Sequence, residues 1–489
     1  MATSLKKLLS DSVIYGLSSI VGRFLNYLLV PLYTYRIAAA SGEYGIITNI
    51  YAYTALLLVL LTFGMETTFF YFANKPGVDG RRAFSTALGS VGAVAACFAV
   101  ATAVLAGPLS RLLGYEAHPE YLRIMATVVA IDAFQAILFA WLRYEGRAWK
   151  FAILKLLFIV TNIVLNLFVF LLAPRLAAGG SPLMGWYNES NLVGYVFLIN
   201  LICTASVTLG FLPELRHLRF GIDRKLLSQM LRYTWPLLLL GVVGILNQVA
   251  DKICYRFLVP GHEGEVQLGI YGACVKIAMI MAMITQAFRY AYEPFVFGGS
   301  RDSKSKETQA KVMKYFIIFT LLAYLCVVCG IDVLRYVIGQ QYWEGLHVVP
   351  IVMLAEIFMG IYFNLSFWYK LTEQTWWGAI MSAIGCAAML AVNFLFVPRY
   401  GYTACAWGGF VGYGVCMVLS YLIGQRKYTV PYPVARIGLY FAVALLLSAA
   451  ASLVHLAHPV ATTAVRCCLL LPYLALVWWK EFRKLKVEN

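Results

Sequence analysis

Fourteen near-continuous apolar runs joined by short polar turns constrain this chain more than any other feature. They fall at 11–35, 46–72, 84–107, 121–142, 151–173, 192–212, 233–256, 268–290, 312–334, 347–369, 377–397, 403–424, 435–456 and 462–479. A helix rising 1.5 Å per residue needs about 20 apolar residues to cross roughly 30 Å of hydrocarbon, and most of these runs have that length. A transmembrane barrel would show shorter segments of alternating polarity. The expected fold is therefore an all-α integral membrane protein with about fourteen transmembrane helices. Composition agrees: 61% of the residues are hydrophobic and 13% charged, whereas soluble domains carry about 25% charged residues.

The net charge of +16 has a topological explanation. With the N-terminus placed inside, 24 basic residues fall in inner loops and tails and 5 in outer loops. That asymmetry puts both termini in the cytoplasm and removes the need for a nucleic-acid partner. The opening MATSLKKLLSDS lacks a small-residue cleavage site and does not read as a cleaved signal peptide. No loop exceeds about 21 residues, which leaves no room for a soluble catalytic domain. The 11 cysteines lie mainly in apolar runs and are expected to be free thiols. Cys326 and Cys329 form a C-x-x-C inside such a run, without the neighbouring strand of a redox motif. No histidine arrangement suggests a metal, and neither a cofactor nor a catalytic residue is expected. Gly408 and Gly412 form a helix-packing G-x-x-x-G.

At an offset of 224 residues Gly45-Ile46 aligns with Gly269-Ile270, Asp132 with Glu356, Phe134 with Phe358, and Pro174-Arg175 with Pro398-Arg399. This register predicts a duplication. Residues 1–220 and 221–430 would be two six-helix lobes in the same orientation, related by a pseudo-twofold along the membrane normal. Residues 431–489 would add two helices and a cytoplasmic tail.

An ionisable group at mid-membrane costs at least about 2.5 to 3.5 kcal/mol and should face partners or water. Arg23, Asp132, Lys276 and Glu356 fall near the middle of their runs. Arg23 forms a polar stripe with Asn26 and Tyr27. Arg23 and Lys276 are either binding groups or snorkelled and paired cations, while Asp132 and Glu356 are either packing groups or an ion site. Asn247, Gln248, Asp251, Lys252 and Arg256 make the outer third of the seventh run polar, as a water-filled cavity or an interfacial end would. Glu66 and Arg289, with Gln286, lie towards inner ends, as mouth-lining groups or rim anchors. Lys155 reads as a positive-inside anchor, and most aromatics read as interface belts. Pro31 should bend the first helix.

The seventh and eighth runs, YTWPLLLLGVVGILNQVADKICYRFLVPG and LGIYGACVKIAMIMAMITQAFRYAYEPFV, are more specific. Together with GLSSIVGRFLNYLLVPLYTYRIAAASGEYGI near the N-terminus, they resemble the polysaccharide and O-antigen flippase family of the multidrug/oligosaccharidyl-lipid/polysaccharide exporter superfamily. The resemblance implies a V-shaped pair of six-helix lobes around a cavity. It also implies alternating-access transfer of a polyprenyl-pyrophosphate-linked oligosaccharide from the inner to the outer leaflet of a bacterial cytoplasmic membrane. Arg23, Asn26, Asn247, Gln248, Lys252, Arg256, Lys276 and Arg289 would then meet substrate. Glu66, Asp132, Asp251 and Glu356 would couple an ion or form structural pairs, and Pro31 would be a hinge. Expected partners are the lipid-linked oligosaccharide, membrane lipids, H⁺ or Na⁺, and glycan polymerase machinery. The four mid-run charges sum to zero, unlike a strongly cationic cavity. Two other readings are a cation-coupled multidrug antiporter of the same superfamily and a membrane glycan polymerase or ligase. The latter is disfavoured because the longest outer loop, 174–191, carries only Arg175 and Glu189 as charges.

Overall fold

The computed structural model describes residues 25, 27–180, 185–216, 221–298, 303–454 and 459–482. Among them there are no strands. Thirteen helices are long and apolar enough to cross a membrane. The short helix α1 is Leu29–Arg36. The thirteen that follow are α2 Glu43–Ala73, α3 Gly80–Leu113, α4 Pro119–Tyr144, α5 Ala148–Ala178, α6 Glu189–Gly210, α7 Arg224–Leu258, α8 His262–Arg289, α9 Lys306–Cys329, α10 Gln340–Leu371, α11 Trp376–Tyr400, α12 Tyr402–Lys427, α13 Val434–Leu453 and α14 Ala461–Glu481. Each coincides with one expected run from the second to the fourteenth. The chain is a multi-pass, all-α membrane protein.

It divides into two compact units, Met1–Gly269 and Ile270–Asn489. Inside the first unit α7 packs along α2.

Local sequence explains where helices start. Asp223 precedes α7 and accepts from the backbone N–H groups of Lys225 at 2.9 Å and Leu226 at 3.1 Å, the usual N-cap arrangement. The Leu226 bond, with Arg82 beside it, holds the Asp223 carboxyl below its ordinary range. Pro31 lies in the described α1, with helical residues also at Leu25 and Tyr27 before it. Gly408 and Gly412 seat α12 on α11: a Cβ at Gly412 would lie 2.9 Å from the Gly385 carbonyl oxygen. All eleven cysteines are free.

The two C-terminal helices dock onto α9 in the second unit. Buried Tyr473 of α14 donates to the Ile318 carbonyl at 3.1 Å. Arg466 of α14 reaches Asp332 at 2.9 Å and the Val454 carbonyl at 2.9 Å. At the other end of α9, buried Lys314 pairs with buried Glu481, which also accepts from Tyr440 at 2.8 Å.

Candidate membrane-embedded site

The second apolar run is one span by length but two helices by backbone. It breaks at Phe63 and Gly64, which adopt left-handed conformations with φ of 51° and 68°. A phenylalanine there carries strain that surrounding structure must hold. Thr234 of α7 does so by donating its hydroxyl to the Phe63 carbonyl at 2.5 Å. Gly64 has no Cβ because one would sit 3.0 Å from that hydroxyl oxygen. Irregular backbone at membrane depth is tolerated where protein or a cavity satisfies it, and broken helices of this kind build sites in transporters.

The second half-helix, Met65–Ala73, opens on Glu66, whose carboxylate is favoured at a helix N-terminus. Glu66 accepts from Arg143 of α4 at 2.9 Å, and that guanidinium lies 5.1 Å from the centre of the Phe70 ring. Asp132, mid-way along α4, is half-buried and accepts the Thr204 hydroxyl of α6 at 3.2 Å. Lys155 of α5 does not behave as an outlying anchor. It is half-buried, with its ammonium 4.0 Å from the centre of the Phe139 ring, and interacts electrostatically first with Asp132 and then with Glu66 and Arg143. Four charges of both signs thus gather beside a helix break. Arg143 and Thr204, and the inward role of Lys155, are not among the residues that the sequence singles out. Phe-Gly within an apolar run was the available signal for the break.

A double-mutant cycle tests the Glu66–Arg143 pair. Glu66→Gln and Arg143→Gln should each lower thermal stability in nanodiscs, and the double variant should lose less than their sum by about 0.5 to 1 kcal/mol, the low end of the range for contacting residues because the two side chains are 35% and 41% exposed. Simple additivity would show the pair to be idle.

The polar outer third of α7 is tied into a second network. Lys252 donates to both Asp251 carboxylate oxygens at 3.0 Å and to the Gln248 carbonyl at 3.1 Å. Its own carbonyl accepts from Asn49, which accepts the Tyr115 hydroxyl at 2.7 Å. Arg256 stacks 3.9 Å from the Tyr115 ring centre, bonds the Gly114 carbonyl and pairs with Glu265 at 2.8 Å. Its guanidinium is therefore committed to a clamp between α7, α8 and the loop after α3. Asn247 donates to the Val243 carbonyl at 3.0 Å and Gln248 to the Gly244 carbonyl at 3.5 Å, so both amides also bond the helix backbone one turn earlier.

In the second unit, Lys276 and Glu356 are half-buried in α8 and α10, and exposed Arg289 lies 5.0 Å from the Phe363 ring centre. Arg23 and Asn26 lie outside the described residues.

A profile described as polysaccharide biosynthesis protein matches residues 40–347. The chain belongs to this family. Among curated relatives, the Lsg locus protein 1 of Haemophilus influenzae is 22% identical over 418 residues, covering 81% of this chain and 94% of its own length. Family and fold agree, since a solved structure of the lipid II flippase MurJ, in an inward closed conformation, superposes with a TM-score of 0.69 at 12% identity, over 95% of this chain and 99% of that one. An inward-facing multidrug resistance MATE transporter of the MOP superfamily gives a TM-score of 0.61 at 15% identity, over 85% and 94%. At these identities the likeness establishes the family's fold.

Proposed function

We propose that this protein flips a polyprenyl-pyrophosphate-linked oligosaccharide across the membrane by alternating access. The observation that carries the reading is the charge cluster of Glu66, Arg143, Asp132 and Lys155 at a broken membrane helix. Such groups are expensive in hydrocarbon and mark the paths of polar cargo or ions. Membership of a polysaccharide biosynthesis family and the MurJ-like fold support a glycan lipid as cargo. Short loops favour a transporter over a glycan polymerase. In this reading the membrane is a bacterial cytoplasmic membrane with both termini inside, residues 1–220 and 221–430 are duplicated lobes, and a glycan polymerase receives the product.

Arg23, Asn26, Lys276, Arg289, Lys252, Asn247 and Gln248 are assigned to the substrate. Asp132 and Glu356 are assigned to a coupling ion, and Pro31 to a hinge. The mid-helix acids also suit a second reading, a cation-coupled drug antiporter, which fluorescent-cation efflux would reveal.

Arg23 provides the test. Its planar fork suits phosphate oxygens and keeps its charge. Arg23→Ala should abolish glycan export while the protein still inserts, and Arg23→Lys should impair export because bidentate contact is lost. Normal export by Arg23→Ala, at wild-type membrane levels, would overturn the assignment.

A further inference from the structure

In the first unit, α3 and α6 each pack on α4 but scarcely touch one another. The slot between them is a cavity of about 720 Å³, with Gly89, Gly92 and Ala96 on one wall, Ala130 and Phe134 on the floor and Ala205 opposite. Small residues on α3 create the width: a Cβ at Gly92 would lie 3.1 Å from the Phe134 ring. The hydroxyls at its edge are already bonded, Thr127 to the Arg123 carbonyl at 2.8 Å and Thr208 to the Thr204 carbonyl at 3.0 Å. Nothing along the slot therefore calls for water, and an apolar cavity open to bilayer takes up hydrocarbon.

The two ends differ. Ile222 flanks Gly89, its side chain 3.0 Å from where a Cβ would stand. Arg82, two turns earlier on the same face of α3, is exposed and pairs with Asp223. Arg81, Arg224 and Lys225 are immediate chain neighbours of this pair, so the local balance favours an anion. From Gly89 to Ala99 the helix rises about 15 Å, half the roughly 30 Å hydrocarbon thickness. A dry slot one leaflet deep, crowned by arginines, matches a single acyl chain below a phosphate.

We propose that this slot is a lipid-binding site that holds one acyl chain of a glycerophospholipid, with the lipid's phosphate at Arg81 and Arg82. Charge complementarity at that end selects an anionic headgroup, and the slot's depth selects a chain of ordinary leaflet length.

Phosphatidylglycerol with a diazirine on its acyl chain tests this in vesicles of phosphatidylcholine containing the full-length protein. Irradiation should concentrate adducts on residues 89–99, 127–134 and 205–209, above the level at Val104, which is 75% exposed on α3 outside the slot. Ala96→Phe should lower slot adducts about tenfold, the factor lost with burial of roughly two methylenes. Val104→Phe should leave them unchanged. Because Ala96 is exposed, its replacement fills the slot without entering the core, and size-exclusion profiles check the fold; Ala93→Phe serves if Ala96→Phe aggregates. Adducts no denser in the slot than at Val104, or unchanged in both phenylalanine variants of the slot, would overturn the proposal. So would preferential labelling of the slot by a diazirine-bearing polyprenyl phosphate added in competition. None of these readouts uses glycan export, so the outcome is independent of the proposed transport activity.

Discussion

Glu481→Leu should cost the second unit about 3 to 5 kcal/mol, the usual penalty for stranding one member of a buried ion pair. Lys314 and Glu481 side chains are 9% and 4% exposed, and Lys314 lies within the membrane span α9. Without the carboxylate the buried Lys314 amine loses its ion-pair partner, and the Tyr440 hydroxyl loses its acceptor. The physical signature is rescue. The double variant Lys314→Leu with Glu481→Leu should recover most of the loss, because replacing both partners removes the desolvation penalty together with the attraction. Melting of the two variants in nanodiscs, followed by retention of a monodisperse peak, reads this directly. A double variant as unstable as the single would mean that the pair is not what fastens α14 to α9.

Gly45→Ala should be among the most damaging single methyl additions in the first unit. A Cβ there would stand 1.9 Å from the Glu265 carbonyl oxygen, 2.8 Å from its carbon and 3.0 Å from the Gly269 nitrogen. All three atoms are backbone, so no side-chain rotation relieves the clash and α2 must move away from α8. Overpacking costs about 1 to 3 kcal/mol and occasionally more; this site belongs at or above the top of that range. Gly269→Ala meets the Gly45 nitrogen at 3.0 Å and should be milder. Gly244→Ala, where a Cβ meets nothing within 4 Å, should stabilise α7 by about 0.5 to 1 kcal/mol through helix propensity. The order Gly45, Gly269, Gly244 in thermal stability is the result to check. Equal effects at Gly45 and Gly244 would deny the close approach of the helices. The two glycines that the 224-residue offset aligns thus touch one another, each with the other's nitrogen 3.0 Å from its own ideal Cβ.

Much of the site depends on such long-range meetings. Asp132 and Glu66 could be singled out from sequence because acids in apolar runs are conspicuous. Their partners could not. Arg143 closes a helix and Lys155 sits about two turns into the next, both ordinary places for inner-face anchors. Only the packing of α4 on the broken α2, with α5 against α4, turns them inward. Arg256 went the other way: its position near the outer end of α7 suggested a cavity group, and the fold engages it with Tyr115, Gly114 and Glu265.

The sequence by itself determined the all-α membrane architecture and the order and approximate place of every described span. Transfer of a helix into hydrocarbon is summed over consecutive residues, so the information is local. It also determined the close packing at Gly408 and Gly412, since an absent side chain acts wherever two helices meet. Tertiary structure decided that the second span breaks at its Phe-Gly, because the left-handed Phe63 is held by a hydroxyl 171 residues away. It likewise decided that Lys314 finds Glu481 across 167 residues. Each interior charge states in sequence that it needs a partner, and only the folded chain chooses which one, because desolvation is local while ion pairing depends on what packing brings within reach.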